Sequence, residues 1–287
     1  MNAALWGFLS SAGLGTADFM GRFSARAVGA PLAYGVVLLV GALGATACVL
    51  FSEVPLVWSA RGCAFAAAHG VSVAVMCVLL YEGLARGPVA IVAPIVAAHP
   101  AFVLAINVGM GVRPTLAQSC AMAGIILGGL LIARNAVSHP QFISEGRSTL
   151  SNTLRIAWGA CFAYVLLILT GQAAVPLLGE FQTVWIARWA GLAAVALVLL
   201  VQRTKVAVPC SWLPFLAIQG TLDGLGYVAF LAGASTAAPH ISMVVASTFS
   251  MFTIILARVV LDEPISFGQW VSIGIIATGT AVLASGI

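Results

Sequence analysis

Long apolar stretches alternate with short polar, glycine- or proline-containing breaks along almost the whole chain. A helix that crosses a membrane needs about 20 mostly apolar residues, and the stretches between breaks reach that length. The breaks contain helix-interrupting pairs such as Gly87-Pro88 and Glu263-Pro264. The pattern predicts ten membrane-spanning helices, over residues 3–23, 31–51, 62–84, 88–110, 115–133, 154–171, 181–201, 212–234, 239–260 and 266–286.

One longer polar stretch, residues 134–153, separates the first five predicted helices from the last five. We interpret it as a linker between a first unit, residues 1–133, and a second unit, residues 154–287. The strands of a membrane β-barrel alternate polar and apolar residues over about ten positions, and this chain lacks that pattern. The predicted fold class is therefore an all-α integral membrane protein.

The second unit repeats the first at an offset of about 150 residues, a sign of internal duplication. Trp6-Gly7 also recurs as Trp158-Gly159, with the offset larger by about two residues. Because each unit has an odd number of helices, the second must be inserted upside down, which is the inverted-repeat design of secondary transporters. The matching positions are Phe65 with Phe215, Gly70 with Gly220, Gly83 with Gly233 and Pro114 with Pro264.

The composition requires lipid as the surrounding solvent. Hydrophobic residues make up 62% of the chain and charged residues only 7%, and the mean hydropathy is +1.11. A soluble domain carries roughly 25% charged residues, so this surface faces lipid. The net charge of +4 is too small and too dispersed to indicate nucleic-acid binding. The cysteines form no ligand pair and no nucleotide motif occurs, so we expect no metal, no cofactor and no direct use of ATP.

Arginines and lysine are more frequent in the loops that follow odd-numbered helices, which places those loops in the cytoplasm and both termini outside. The odd loops hold Arg22, Arg26, Arg86, Arg134, Arg147, Arg155, Arg203, Lys205 and Arg258, and the even loops hold Arg61 and Arg113.

Three motifs carry a resemblance to a known family. They are Trp6-Gly7, the segment YEGLARGPVAIVAPIVAAHPAF at 81–102, and the segment LDEPISFGQWVSIGIIATGTAVLAS at 261–285. In order and spacing the chain resembles the EamA-type branch of the drug/metabolite transporter superfamily. The resemblance implies a transporter in the bacterial inner (plasma) membrane, and relatives are usually drawn with both termini in the cytoplasm. The chain departs from the family pattern at Arg113, where an acidic residue is expected, and at Ser250, where a proline is expected.

Charged residues inside predicted helices are the first candidates for a site, because each costs about 2.5–3.5 kcal/mol at mid-membrane. Asp223 lies in the middle of the eighth helix and could pair with a cationic substrate or bind a proton; the alternative is a buried acid bonded to a neighbouring helix. Arg188 could hold a substrate carboxylate, neutralise Asp223 or extend to the interface. Asp18 could line the cavity and couple protons, or it could reach the headgroup region or pair with Arg22 four residues on.

Polar and aromatic residues complete the predicted site. His69 and Gln219 occupy equivalent positions in the two units and could form related walls of a cavity; a hydrogen-bonding role in packing is the alternative for a histidine. His99 carries the same two alternatives, and Pro100 beside it could free a carbonyl group for the cavity. Trp158, Tyr164 and Tyr227 could provide an aromatic lining.

These observations predict a secondary active transporter of a small metabolite such as an amino acid or amine, not an enzyme. We expect alternating access around a central cavity by rocking of one five-helix unit against the other, with possible proton coupling. Alternatives are a flippase for a lipid-linked sugar and an intramembrane enzyme. The expected partners are the substrate and membrane lipid, and the expected assembly is a monomer or weak homodimer.

Overall fold

The computed structural model describes residues 2–51, 56–135, 147–203, 207–234 and 236–285. All regular secondary structure in these residues is helical. The helices are α1 Ala3–Val28, α2 Ala30–Phe51, α3 Ala60–Arg86, α4 Val89–Val96, α5 His99–Gly109, α6 Leu116–Asn135, α7 Arg147–Leu178, α8 Glu180–Val201, α9 Leu213–Ala234, α10 Pro239–Ala246, α11 Phe249–Val260 and α12 Phe267–Ser285, and a 3₁₀ turn at Cys210–Trp212 precedes α9.

Nine candidate membrane spans, by length and apolar composition, occur in the described part of the chain. Two of them, Val89–Gly109 and Ile241–Val260, extend across the breaks between α4 and α5 and between α10 and α11. The first helix, α1, which carries Asp18, Arg22 and Arg26, is not among the nine. The bounds of the helices otherwise follow the predicted spans closely.

The predicted linker is partly helical. Helix α7 begins at Arg147 and continues for 32 residues to Leu178, past Pro176. Its first two turns therefore include residues 147–153, which the sequence assigned to the linker, while residues 136–146 lie outside the described chain. The helix continues past Pro176, so the predicted boundary at residue 171 was too early.

Two of the predicted helices are broken near their middle, at equivalent positions in the two halves. In the first half Pro100 cannot donate an amide hydrogen to the carbonyl of Val96, so the helical ladder stops there. In the second half no proline is needed, because the Ser247 and Thr248 hydroxyls donate to the carbonyls of Val244 and Val245, each at 2.7 Å. Such bonds to the preceding turn compete with regular helix formation.

The helices of the two halves are interleaved. The most extensive pairings, α3 with α7, α1 with α9 and α6 with α12, each join a helix of the first half to one of the second. In the repeat, α1 is equivalent to α7, α2 to α8 and α3 to α9. If equivalent helices are exchanged, the α3–α7 pair becomes α9–α1 and the α3–α8 pair becomes α9–α2, and all four pairs are present. The packing therefore has the same pattern when the two halves are exchanged.

Short connections bring helix ends together at the two ends of the bundle. A single residue, Gly29, joins α1 to α2, and Gly29 and its counterpart Gly179 both have a positive φ, 87° and 79°. Glycine has no Cβ to clash in this conformation, which permits such tight reversals. The end of α1, the end of α3, the start of α4 and the end of α11 lie at one end, which we call the latch end. The opposite end, where α1 begins, is the vestibule end.

Candidate functional site

A small cavity of about 110 Å³ lies among α1, α2, α3, α7, α8, α9 and α11. Its lining is mainly apolar, but three charged side chains reach it. These are Asp18 from α1, Arg188 from α8 and Asp223 from α9. The structure thus brings together three of the sequence-predicted residues from helices of both halves. We call this space the inner cavity.

Arg188 and Asp223 form a buried ion pair in the inner cavity. The Arg188 Nη1 atom donates to Asp223 Oδ2 at 2.5 Å, and the two side chains are 8% and 14% exposed. The guanidinium also lies over the ring of Tyr227, with Cζ 5.5 Å from the ring centre, a cation–π geometry. A Cβ atom on Gly41 of α2 would lie 3.0 Å from Arg188 Nη1, so this glycine leaves room for the guanidinium. Of the three roles considered for Arg188, neutralisation of Asp223 is the one found in this structure.

Asp18 is the second carboxylate of the inner cavity, and it has no hydrogen bond or ion pair with any described residue. Of the alternatives considered for Asp18, the pairing with Arg22 is not formed, because Arg22 Nη1 instead donates to the carbonyl of Gly87 at 2.8 Å. Among the described residues, the cavity therefore holds two acidic groups and one basic group. A carboxylate without a partner is costly away from water unless a proton or a cationic group neutralises it.

A larger cavity of about 700 Å³, which we call the vestibule, lies nearer the end of the bundle where α1 begins. Parts of α5, α7, α10 and α12 line it, and its polar groups include Asn107, Gln118 and Gln172. The Gln172 and Pro176 side chains are exposed, so the vestibule opens at this end. Carboxamide groups can both donate and accept hydrogen bonds without carrying charge.

Three side chains line both cavities and separate them: Leu14, Tyr164 and Phe249, which we call the partition. The rings of Tyr164 and Phe249 lie 6.4 Å apart, centre to centre. Tyr164 was predicted as an aromatic lining residue, whereas Leu14 and Phe249 were not identified from the sequence. Single apolar residues in apolar helices carry no signal that distinguishes a cavity wall from a lipid-facing surface.

His99 fixes the position of Tyr164. The carbonyl of Val96 has lost its helical partner to Pro100, and His99 Nδ1 lies 3.1 Å from that oxygen. A carbonyl oxygen can only accept, so Nδ1 must carry the hydrogen. The imidazole ring held in this way stacks on Tyr164, with ring centres 3.7 Å apart and planes 10° from parallel. The freed carbonyl predicted for the cavity is therefore used by His99, and His99 itself lines the vestibule.

His69 and Gln219 line neither cavity and instead join helices. His69 Nδ1 lies 2.8 Å from the carbonyl of Leu167, and Gln219 Nε2 donates to the carbonyl of Ala17 at 3.1 Å. Gln219 lies 150 residues after His69, and Leu167 lies 150 residues after Ala17. Equivalent positions of the two halves therefore form the same kind of inter-helix bond. Gln219 Nε2 also donates to the Tyr81 hydroxyl oxygen at 2.9 Å. These two residues fit the packing alternative that the sequence left open for a histidine.

Trp158 also lies apart from both cavities. It contacts Phe102 edge to face, with ring centres 5.9 Å apart, and borders a separate groove along α7 with Arg155 and Phe162. Tyr227, by contrast, lines the inner cavity beside Arg188. Of the three predicted aromatic residues, Tyr164 and Tyr227 reach the site and Trp158 does not.

The comparison with protein families identifies the second half of the chain. The model of the EamA-like transporter family matches residues 154–285. The second half of the chain belongs to the EamA-like transporter family. The predicted resemblance to EamA-type transporters is confirmed. Together with the nine apolar helices of the described residues, the match supports an integral, multi-pass membrane protein.

Two further comparisons bear on the whole chain. No curated protein matches the sequence. A solved crystal structure of a protein matches with a TM-score of 0.64 at 16% sequence identity, and the match covers 98% of this chain and 95% of that one. At this identity the likeness concerns the fold alone. It extends over both halves, including the first half, which the family model does not reach.

Proposed function

We propose that this EamA-type protein is a secondary active transporter that moves a small amine or zwitterionic metabolite by alternating access. The observation that carries the proposal is the charge imbalance of the inner cavity, where Asp18 and Asp223 face a single arginine, Arg188. An excess carboxyl group inside a membrane protein marks a place where a proton or a cationic substrate group binds. The vestibule, behind the partition, provides access to it from one end.

Two observations support ten crossings arranged as an inverted repeat. The helix pairs keep the same pattern when the halves are exchanged, and the His69 bond to Leu167 recurs as the Gln219 bond to Ala17. In such a repeat, the two halves enclose a site near the middle of the membrane. The arginine-rich latch end then faces the cytoplasm, and the vestibule end faces outward. A plasma-membrane location follows from the family resemblance and stays a prediction, as do a monomeric or weakly dimeric state and the interaction with lipid.

The moving parts in this proposal differ from two rocking sequence halves. Because α1 packs on α9, α10 and α11, and α3 packs on α4 and α7, helices of both halves form each packed unit. We call these the α1 unit and the α3 unit. The α1 unit contains both parts of the second broken helix, α10 and α11, and the α3 unit contains the first part of the other, α4. The two cavities lie between these units. Opening would therefore separate the α1 unit from the α3 unit.

The substrate chemistry follows from the charges. An ammonium group would satisfy Asp18, and a carboxylate could compete with Asp223 for the guanidinium of Arg188. A zwitterion offers both groups at once, whereas an anion without an amine would add charge to a cavity that already has an excess of acid. The apolar lining would accommodate an aliphatic or aromatic body.

The proposal is tested by thermal unfolding of the detergent-purified protein against amino acids, amines, nucleosides and sugars. A ligand at 100 times its dissociation constant adds about 2.7 kcal/mol of stability, which is measurable as a higher Tm. We expect amines or zwitterions to stabilise the wild-type protein and the Asp262→Asn variant, whose changed residue is exposed in a turn, but not Asp18→Asn. Equal stabilisation of all three proteins, or stabilisation by neutral sugars alone, would contradict the assignment.

A further inference from the structure

Three charged side chains hold one short segment at the latch end. The segment, residues 85–90, connects α3 to α4 and contains Gly87-Pro88; we call it the latch segment. Arg22 Nη1 donates to the carbonyl of Gly87 at 2.8 Å, and Arg26 Nε donates to the carbonyl of Ala85 at 2.7 Å. Glu263 approaches the same segment from the turn between α11 and α12.

Glu263 caps the first turn of α4. Its two carboxylate oxygens accept hydrogen bonds from the amides of Val89 and Ala90, at 3.0 and 2.9 Å, and the residue is 7% exposed. The first amides of a helix have no partner within the helix and carry partial positive charge, so a carboxylate is well suited to them. Unlike an ordinary capping residue, this one comes from a point 174 residues away in the chain.

All these bonds cross between the two packed units. Arg22 and Arg26 lie on α1, and Glu263 follows α11, so they belong to the α1 unit. The latch segment ends α3 and begins α4, so it belongs to the α3 unit. Separating the units at this end breaks four hydrogen bonds to charged groups. Such bonds are roughly twice as strong as neutral ones.

The equivalent positions at the vestibule end lack this chemistry. The counterpart of Glu263 at the repeat offset is Arg113, and the counterpart of Val89 is Pro239, which has no amide hydrogen to donate. With the offset that aligns Gly29 and Gly179, Arg22 and Arg26 correspond to Gln172 and Pro176. With the offset of the Trp-Gly pairs they correspond to Ala174 and Leu178. No counterpart at the vestibule end can repeat the carboxylate cap or supply the two cationic donors.

We propose that Arg22, Arg26 and Glu263 form a one-sided latch that keeps the protein closed at the latch end and open at the vestibule end when no substrate is bound. The inference rests on the proposed alternating access. An equally built pair of latches would give the two open states similar energies, whereas a single latch favours one. Release of the latch segment is then the step that substrate binding must bring about.

The test measures distances between spin labels in a cysteine-free background, without substrate. One pair, Ala27→Cys with Ser151→Cys, spans the latch end between α1 and α7, and the other, Val112→Cys with Ala237→Cys, spans the vestibule end; all four positions are exposed. We expect Glu263→Gln to raise the population with a long latch-end distance and a short vestibule-end distance by roughly tenfold, which corresponds to about 1.4 kcal/mol.

Asp262→Asn is the matched control, because it removes the same charge from the neighbouring, exposed residue and leaves the α4 cap intact. If Glu263→Gln does not fold, Arg26→Gln tests the latch instead, because it removes the bond from exposed Arg26 to the carbonyl of Ala85. We expect a smaller change in the distance populations for this variant. Distance distributions that match the wild type in a folded variant of either kind would overturn the latch. The readout uses no substrate, so a failed transport assay with a positive distance shift would refute the proposed function and leave the latch standing.

Discussion

At the scale of single residues, the Arg188–Asp223 pair is the main ionic contact of the inner cavity. Both side chains are nearly buried, and neither charge has another described ionic partner within bonding distance. Pairs of this kind are weak contributors to stability as a whole, yet removing one partner leaves an uncompensated charge. The inner cavity therefore depends on Arg188 and Asp223 together.

This pairing predicts the behaviour of single and double variants. Asp223→Asn should destabilise the protein by about 3–5 kcal/mol, since it leaves Arg188 charged and unpaired. The double variant Asp223→Leu with Arg188→Met should recover most of that loss, because no charge then remains buried. The measurement is the apparent Tm in detergent. A double variant that unfolds at or below the Tm of the single variant would contradict the pairing.

Sequence reasoning found the charged residues but not their arrangement. Asp18, Arg188 and Asp223 were identifiable because any charge in an apolar helix requires an explanation. Their meeting in one cavity depends on how α1, α8 and α9 cross, and the sequence gives no such information. For His69 and Gln219 the sequence left a cavity role and a packing role open, because a polar group that bonds a neighbouring helix and one that faces a cavity look alike in sequence.

At the scale of helices, glycine positions determine which side chains fit between neighbours. A Cβ on Gly41 would lie 3.0–3.3 Å from three guanidinium atoms of Arg188, whereas a Cβ on Gly44, three residues along α2, would meet nothing within 4 Å. The sequence does not distinguish the two glycines, but only Gly41 lies against a side chain of a neighbouring helix.

The contrast yields a matched pair of variants. Gly41→Val should displace Arg188 and lower the Tm, while Gly44→Val should leave it near the wild-type value, since overpacking costs about 1–3 kcal/mol only where space is absent. Thermal unfolding of both variants measures the difference. Equal effects of the two substitutions would show that Arg188 does not rest against α2.

The two helix breaks differ in how clearly the sequence marks them. Pro100 indicated a freed carbonyl group in the fourth span, and the structure has a break there between α4 and α5. Ser250 stands where the family pattern has proline, yet α10 and α11 are also separate helices. Ser247 and Thr248 provide the break through their bonds to preceding carbonyls. Serine and threonine are common inside membrane helices, so their presence alone does not mark a break.

At the scale of the whole molecule, the repeat pattern predicted duplicated units but not their interleaving. Matching residues such as Gly70 and Gly220 identify equivalent helices, yet only the packing shows that α3 rests on α7 and α1 on α9. Any separation of the sequence halves would break these closest contacts, whereas separation of the mixed units opens the space that already holds the two cavities. The proposed transport cycle follows from that distinction.

The most direct test of this proposal is uptake, by purified protein in liposomes, of the amine or zwitterion that stabilises it best. We expect concentrative uptake driven by an imposed proton gradient in the wild type and in Asp262→Asn, and loss of gradient-driven uptake in Asp18→Asn with normal folding. Gradient-driven uptake by Asp18→Asn at the wild-type rate would show that this cavity carboxylate does not couple transport.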